Sequence, residues 1–121
     1  MFVQCNPNPR WKRLDDCVVR AIAIAEDREW RGVYRELCEV GDELYMMPST
    51  NACWDELLTR HGWKKSIAYC PPCLTVAEFA EHNPYGVFLL ATGSHVVAVR
   101  DGDWLDAWDS GDEVIAYYYT R

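Results

Sequence analysis

The stretch Asp15-Asp16-Cys17-Val18-Val19-Arg20-Ala21-Ile22-Ala23-Ile24-Ala25 places a thiol at the opening of a helix. Behind a polar pair runs a near-continuous apolar segment, Val18 to Ala25, of the kind that forms a buried helix. Far along the chain His95 opens a strand-like run, Val96 to Val99, followed by Asp106 and Asp109. A thiol at a helix start, an imidazole at a strand start and a carboxylate shortly after it are the three parts of a cysteine nucleophile site.

The chemistry suits those positions. A helix start offers unpaired backbone N–H groups and the positive end of the dipole, and both lower a thiol's pKa. Imidazolium at His95 adds to the effect. Asp15 and Asp16 oppose it by their charge, although either can cap the helix through its side chain. The backbone N–H of Cys17 is then the natural first donor to an oxyanion.

Bulk properties bound the rest. At 121 residues and 50% apolar content the chain is large enough for one compact domain, residues 1–121, and too small for two. Twelve basic against nineteen acidic side chains give 12 − 19 = −7, which argues against a surface built to neutralise phosphates, so nucleic acid is not an expected partner. The start, Met1 to Pro9, lacks the basic segment and apolar stretch of a secretory signal. No apolar run approaches the ~20 residues that cross a bilayer. These features predict a soluble, cytoplasmic protein that does not engage membranes. Six cysteines with no secretory context, in a chain with 13% aromatic residues to build a core, predict reduced thiols.

Helical patterns fill the first two thirds. Trp30, Val33, Tyr34, Leu37 and Cys38 recur at helical spacing and Gly41-Asp42 ends the pattern; a loop carrying Tyr45-Met46-Met47 follows. From Thr50 or Asn51 as cap, Trp54, Leu57, Leu58 and His61 repeat the spacing until Gly62. Thr75 and Glu78 form a capping box ahead of Val76, Phe79 and Ala80. The last third changes period. Gly86 to Ala91 and Ser94 to Arg100 read as strands, Asp101-Gly102 as a two-residue hairpin turn, and Asp103 to Trp108 as the return strand. Val114 to Tyr119 closes a three- or four-strand antiparallel meander, giving an α+β fold with N-terminal helices packed on a C-terminal antiparallel sheet.

The hairpin fixes a register. A two-residue loop pairs Arg100 with Asp103, hence Val97 with Asp106 and His95 with Trp108. Side chains alternate along a strand, so Asp106 lies on the His95 face, diagonally beside it, and Asp109 falls out of phase. Asp106 is the expected orienting residue, holding one ring nitrogen of His95 and leaving the other for the thiol. Asp109 takes its place if the loop is one residue longer.

The DDCVVRAIAIA stretch, the GSHVVAV strand and the DAWD segment resemble small papain-like cysteine peptidases of bacteria and phages, related in outline to bacteriocin-processing peptidases. The resemblance spans roughly residues 5 to 119. It implies a papain-like fold, with Cys17 as nucleophile, His95 as general base and acid, and Asp106 as third member. Papain-type enzymes carry a Gln six residues before the nucleophile as second oxyanion donor, where this chain has Trp11. Gln4, Asn6 and Asn8 are the candidates to replace it.

Other residues have plainer readings. Cys5, Cys38 and Cys53 read as core or incidental thiols, and Trp11, Trp63, Trp104 and Trp108 as core, with Trp108 on the His95 face as a shield for the His–Asp bond. Arg20, one turn after Cys17, reads either as a buried partner of an acid such as Asp109 or as a substrate contact. Cys70-Pro71-Pro72-Cys73 has metal-knuckle or redox spacing, but no second ligand pair follows and the double proline argues for a rigid loop. The acidic stretch Asp101 to Glu113 reads as a solvated edge.

These readings point to cleavage of a peptide or isopeptide bond in a peptide or protein substrate, with no metal or organic cofactor required. The alternatives are a binding or adaptor domain of phage or mobile-element origin that keeps the fold without turnover, and an amidase or acyltransferase using the same three residues. The substrate sequence and oligomeric state are not legible.

Overall fold

The two apolar strand runs that lack alternation, Val87–Ala91 and Val96–Arg100, lie at the centre of a sheet covered on both faces, which is why both run apolar without a break. The computed structural model describes residues 1–12 and 15–121. Among these residues the element order is β1 (Phe2–Gln4), α1 (Cys17–Ala25), α2 (Trp30–Leu44), α3 (Asn51–Arg60), β2 (Lys64–Ile67), α4 (Val76–His82), β3 (Val87–Ala91), β4 (Val96–Arg100), β5 (Asp103–Asp106) and β6 (Tyr117–Thr120). The fold is α+β, and the strands form one sheet in the order β1-β5-β4-β3-β6-β2.

Alternation along β3 and β4 divides the core. Leu89, Ala91, Val96 and Ala98 face α1, α2 and α3, where they meet Val19, Ile22, Val33, Leu37, Trp54 and Leu57. Leu90, Val97 and Val99 face the other way, onto Val76, Phe79 and Ala80 of α4 and Ile115. Ile22 is wholly buried, and truncating such a side chain costs about 2–5 kcal/mol. With α1 pressed on β4, its first residue is carried to the end of the sheet where β4 begins.

The sheet has six strands where the sequence reading gives three or four, Lys64–Ile67 forming the edge beyond β6, and it is not a purely antiparallel meander. Phe2–Gln4 adds an edge strand parallel to β5, making the sheet mixed. Three residues ahead of the Asn- and Pro-rich turn are too few to display a period. The last strand also does not return beside β5. It crosses to the far side of β3 and pairs there and with β2. Val114, read as the start of that strand, makes only an isolated bridge with Thr75.

The second helix runs past Gly41 to Leu44 and stops at Tyr45, whose φ is 58°. Gly41 serves close approach rather than termination. A Cβ there would lie 2.6 Å from the Met46 carbonyl oxygen, whose own amide donates to the Gly41 carbonyl at 2.9 Å. Thr50 occupies the cap position of α3, but its hydroxyl donates to the Met47 carbonyl rather than capping. The Thr75–Glu78 capping box forms in both directions. No helix among the described residues is long and apolar enough to cross a membrane.

The expectation of reduced thiols fails for one pair. Cys70 and Cys73 are joined as a disulfide, with their Cα atoms 4.4 Å apart. That separation lies within disulfide reach, a local geometry that reasoning from compartment does not address. Cys5, Cys17, Cys38 and Cys53 are free.

Candidate active site

The hairpin register sets the site. Arg100 pairs with Asp103, Val99 with Trp104 and Ala98 with Leu105, which brings Asp106 at the end of β5 beside the entry to β4. His95, the residue before β4, is 6% exposed, and its Nε2 lies 2.5 Å from Asp106 Oδ2. A carboxylate there only accepts, so Nε2 carries the proton and Nδ1 is left for a second partner. The thiol of Cys17, on the first turn of α1, lines the same cleft as the imidazole and is near enough to act on it. The three residues expected to form the site are therefore brought together.

The electrostatics follow from these contacts. Burial pushes the Cys17 thiol up, but the bond to His95, a backbone bond at Val96 and the charges of His95 and Arg20 outweigh it, and the thiol ends below its ordinary value. Burial pushes His95 down, but its bonds to Asp106 and Cys17 and their charges raise it to about 9. Cys5 and Cys53 move the opposite way to Cys17, upward, chiefly through burial. Between the lowered thiol value and about pH 9, the favoured state is thiolate beside imidazolium.

Asp106 is held on both oxygens. Oδ2 also accepts from the Ser110 hydroxyl at 2.7 Å, and Oδ1 accepts from the Ala107 amide at 2.7 Å. The Trp108 ring lies over the imidazole with centroids 4.5 Å apart, although it is 38% exposed and shields from one side. Asp109 is not in the site. Its carboxylate accepts from Trp104 Nε1 at 2.8 Å and from the Gly111 amide at 3.0 Å. Nothing local marked Ser110, whose only signal is its place four residues after Asp106.

Asp16 holds the cap position of α1 without capping it. Its side chain accepts instead from Arg20 Nη1, from Asn8 Nδ2 at 3.1 Å and from Trp30 Nε1 at 3.1 Å. Arg20 pairs with Asp16 and faces Asp106 at 3.8 Å, not Asp109. The first turn of α1 thus has no side-chain cap on the thiol's own end of the helix.

A cleft of about 470 Å³ opens at Cys17 and His95. Its lining combines apolar side chains, Trp30, Tyr34, Leu37, Trp54 and Tyr117 among them, with polar ones that include Asn51 and Thr92. The three residues named as second oxyanion donors do not reach it. The Asn6 amide donates to the Lys12 carbonyl, that of Asn8 to Asp16, and Gln4 is exposed on β1; none lines the cleft. Asn6 and Asn8 instead brace the turn ahead of the helix, where Asn6 Oδ1 accepts from the Asn8 amide at 3.0 Å. Trp63 is core, while Trp11 is 73% exposed.

Among the described residues, no group of three His, Cys, Asp or Glu side chains is placed to hold a metal ion. Compared with known proteins, the chain matches no family model, no curated protein and no solved structure.

Proposed function

We propose that the chain is a papain-like cysteine peptidase that cleaves a peptide or isopeptide bond through Cys17, His95 and Asp106. The observation that carries this reading is that Cys17 and His95 share one cleft while His95 Nε2 lies 2.5 Å from Asp106 Oδ2, neighbours that move the thiol down and raise the imidazole to about 9. A helix bearing the nucleophile and packed on a sheet whose strands present the imidazole and carboxylate supports the papain-like assignment.

The thiolate of Cys17 attacks the carbonyl carbon, and the Cys17 N–H at the uncapped helix start donates to the oxyanion. As the tetrahedral species collapses, His95 gives the proton on Nδ1 to the departing amine, leaving an acyl thioester on Cys17. Neutral His95 then takes a proton from water as its oxygen attacks the thioester. Collapse releases the carboxylic acid and restores thiolate and imidazolium. Asp106 keeps Nε2 protonated throughout, so that Nδ1 handles every transfer. No metal or organic cofactor enters. An amidase or acyltransferase runs the same steps with another leaving group or acceptor.

A second reading has one observation in its favour. Gln4, Asn6 and Asn8 all lie away from the cleft, which leaves the oxyanion with fewer donors and favours a binding or adaptor domain. Incubation with a proteome-derived peptide library separates the two. New peptide termini made by the wild type and absent with Cys17→Ala support the peptidase. Identical peptide profiles from both proteins contradict it.

A further inference from the structure

Arg20 is 3% exposed, so its charge sits in the core one turn beyond Cys17. A guanidinium in that position is costly unless carboxylates answer it. Two do, and they belong to different parts of the fold. Nη1 donates to Asp16 Oδ1 at the helix start, and Nη2 lies 3.8 Å from Asp106 Oδ1 at the end of β5. Among the described residues the buried Nε atom has no hydrogen-bond partner, so the fork acts through its outer nitrogens. The guanidinium also lies 5.4 Å from the centre of the Trp108 ring, the ring that covers His95.

Resting on the Cys17–His95–Asp106 reading, we propose that Arg20 is a positioning residue that fixes the Asp106 carboxylate so that its other oxygen meets His95. The division of labour on Asp106 supports it. Oδ2 serves His95 and Ser110, while Oδ1 serves the Ala107 amide and faces Arg20. Without the cation behind it, the carboxylate loses one of the groups that set its rotation, and His95 loses the constraint on which nitrogen holds the proton. Arg20 also balances the local charge. Asp15 and Asp16 from the helix start and Glu113 from the segment before β6 line a cavity with Arg20, Cys17, Ser94, His95 and Trp108. Glu113 is partly engaged by the Thr92 hydroxyl at 2.9 Å. Arg20 is the cation on α1 that opposes these carboxylates beside the thiol.

A plain structural ion pair with Asp16 predicts something different, and the double variant Arg20→Gln/Asp16→Asn distinguishes the two. It removes the pair without stranding the Asp16 charge. Two readouts apply: the neutral tautomer of His95 by ring ¹⁵N NMR above pH 9, and iodoacetamide labelling of Cys17 at pH 6. The proposal predicts a mixed tautomer and labelling slowed about tenfold, because both the oriented imidazolium and the Arg20 charge favour the thiolate. Arg20→Lys keeps a cation in the core and so guards against loss of fold; it should slow labelling about threefold, because an ammonium serves one carboxylate at a time. Wild-type tautomer and labelling in both variants would overturn the proposal while leaving the Cys17–His95 pair intact. A wild type in which Cys17 labels no faster than Cys5 at pH 6 removes the pair itself, and the role of Arg20 with it.

Discussion

Among the described residues two imidazoles sit against carboxylates, His95 and His61, and only His95 lines a cleft with a free thiol. His95 has Nε2 on Asp106 and lines the cleft beside Cys17. His61 has Nδ1 2.7 Å from Glu26 and Nε2 2.7 Å from Glu36. Neither carboxylate can donate, so both ring nitrogens of His61 carry protons and the ring is an imidazolium with no open position. Around it Trp63 Nε1, Arg28 and Arg121 also bond Glu26, whose side chain is 4% exposed. That cluster fastens the ends of α1 and α3 to the middle of α2. A short His–carboxylate contact is therefore common to the proposed active site and a structural clamp; they differ in what surrounds the rest of the ring, a second carboxylate at His61 and the Cys17 cleft at His95.

The two sites also respond differently to pH. His61 is raised above 6.5, with burial opposing and Glu26 and Glu36 overcoming it, so its contribution to stability is complete below 6.5 and is lost as pH rises through the raised value. Glu26 and Glu36 are lowered below 4.5, against burial, by their bonds to Trp63, His61 and Arg28. Their contribution is present above 4.5 and fails as pH falls through the lowered values. The clamp is thus strongest between those limits. His95 follows the same sign rule but holds its proton to about 9, and there the change is read in the reactivity of Cys17.

Replacing one ring at a time should break this symmetry. His95→Ala should slow alkylation of Cys17 at pH 6 by about tenfold or more, because it removes the imidazolium that favours the thiolate, while His61→Ala leaves that rate unchanged. Equal effects would erase the distinction. His61→Ala should instead lower stability by about 1–3 kcal/mol at pH 6, read from denaturant unfolding, because it leaves Glu26 buried with fewer partners. A loss that persists unchanged at pH 9 would contradict the clamp. Asp106→Asn should slow Cys17 labelling about tenfold by removing the charge that supports imidazolium, with no change in the His61 titration followed by NMR. The smallest effect belongs to Arg121→Ala. Arg121 is 51% exposed and 3.4 Å from Glu26, and its loss should cost no more than about 1 kcal/mol in the same unfolding assay.

Much of the site was legible because it depends on local rules. The Asp101-Gly102 turn sets the pairing of β4 with β5, and period-two alternation then places Asp106 by His95. The helix start at Cys17 and the capping box at Thr75 are signals confined to a few residues. What escaped depends on contacts distant in sequence. The crossover of β6 to β3 has no local signature, since Ser110-Gly111 looks like any hairpin turn. Glu26, Glu36 and His61 meet across 35 and 25 residues. The Arg20–Asp16 pair has a local signature, four residues apart on one helix face, whereas the approach of Arg20 to Asp106 rather than Asp109 depends on how α1 packs on the sheet. Gly41 read as a stop because its contact with the Met46 carbonyl cannot be seen from spacing alone.

The most direct test of the central claim is the iodoacetamide alkylation rate of each free cysteine against pH, followed residue by residue by mass spectrometry in wild type and His95→Ala. The thiolate–imidazolium account predicts that Cys17 labels faster than Cys5 and Cys53 below pH 9, and that its rate changes again near pH 9 as His95 loses its proton. Labelling of Cys17 that simply follows an ordinary thiol titration, unaltered by loss of His95, would contradict it.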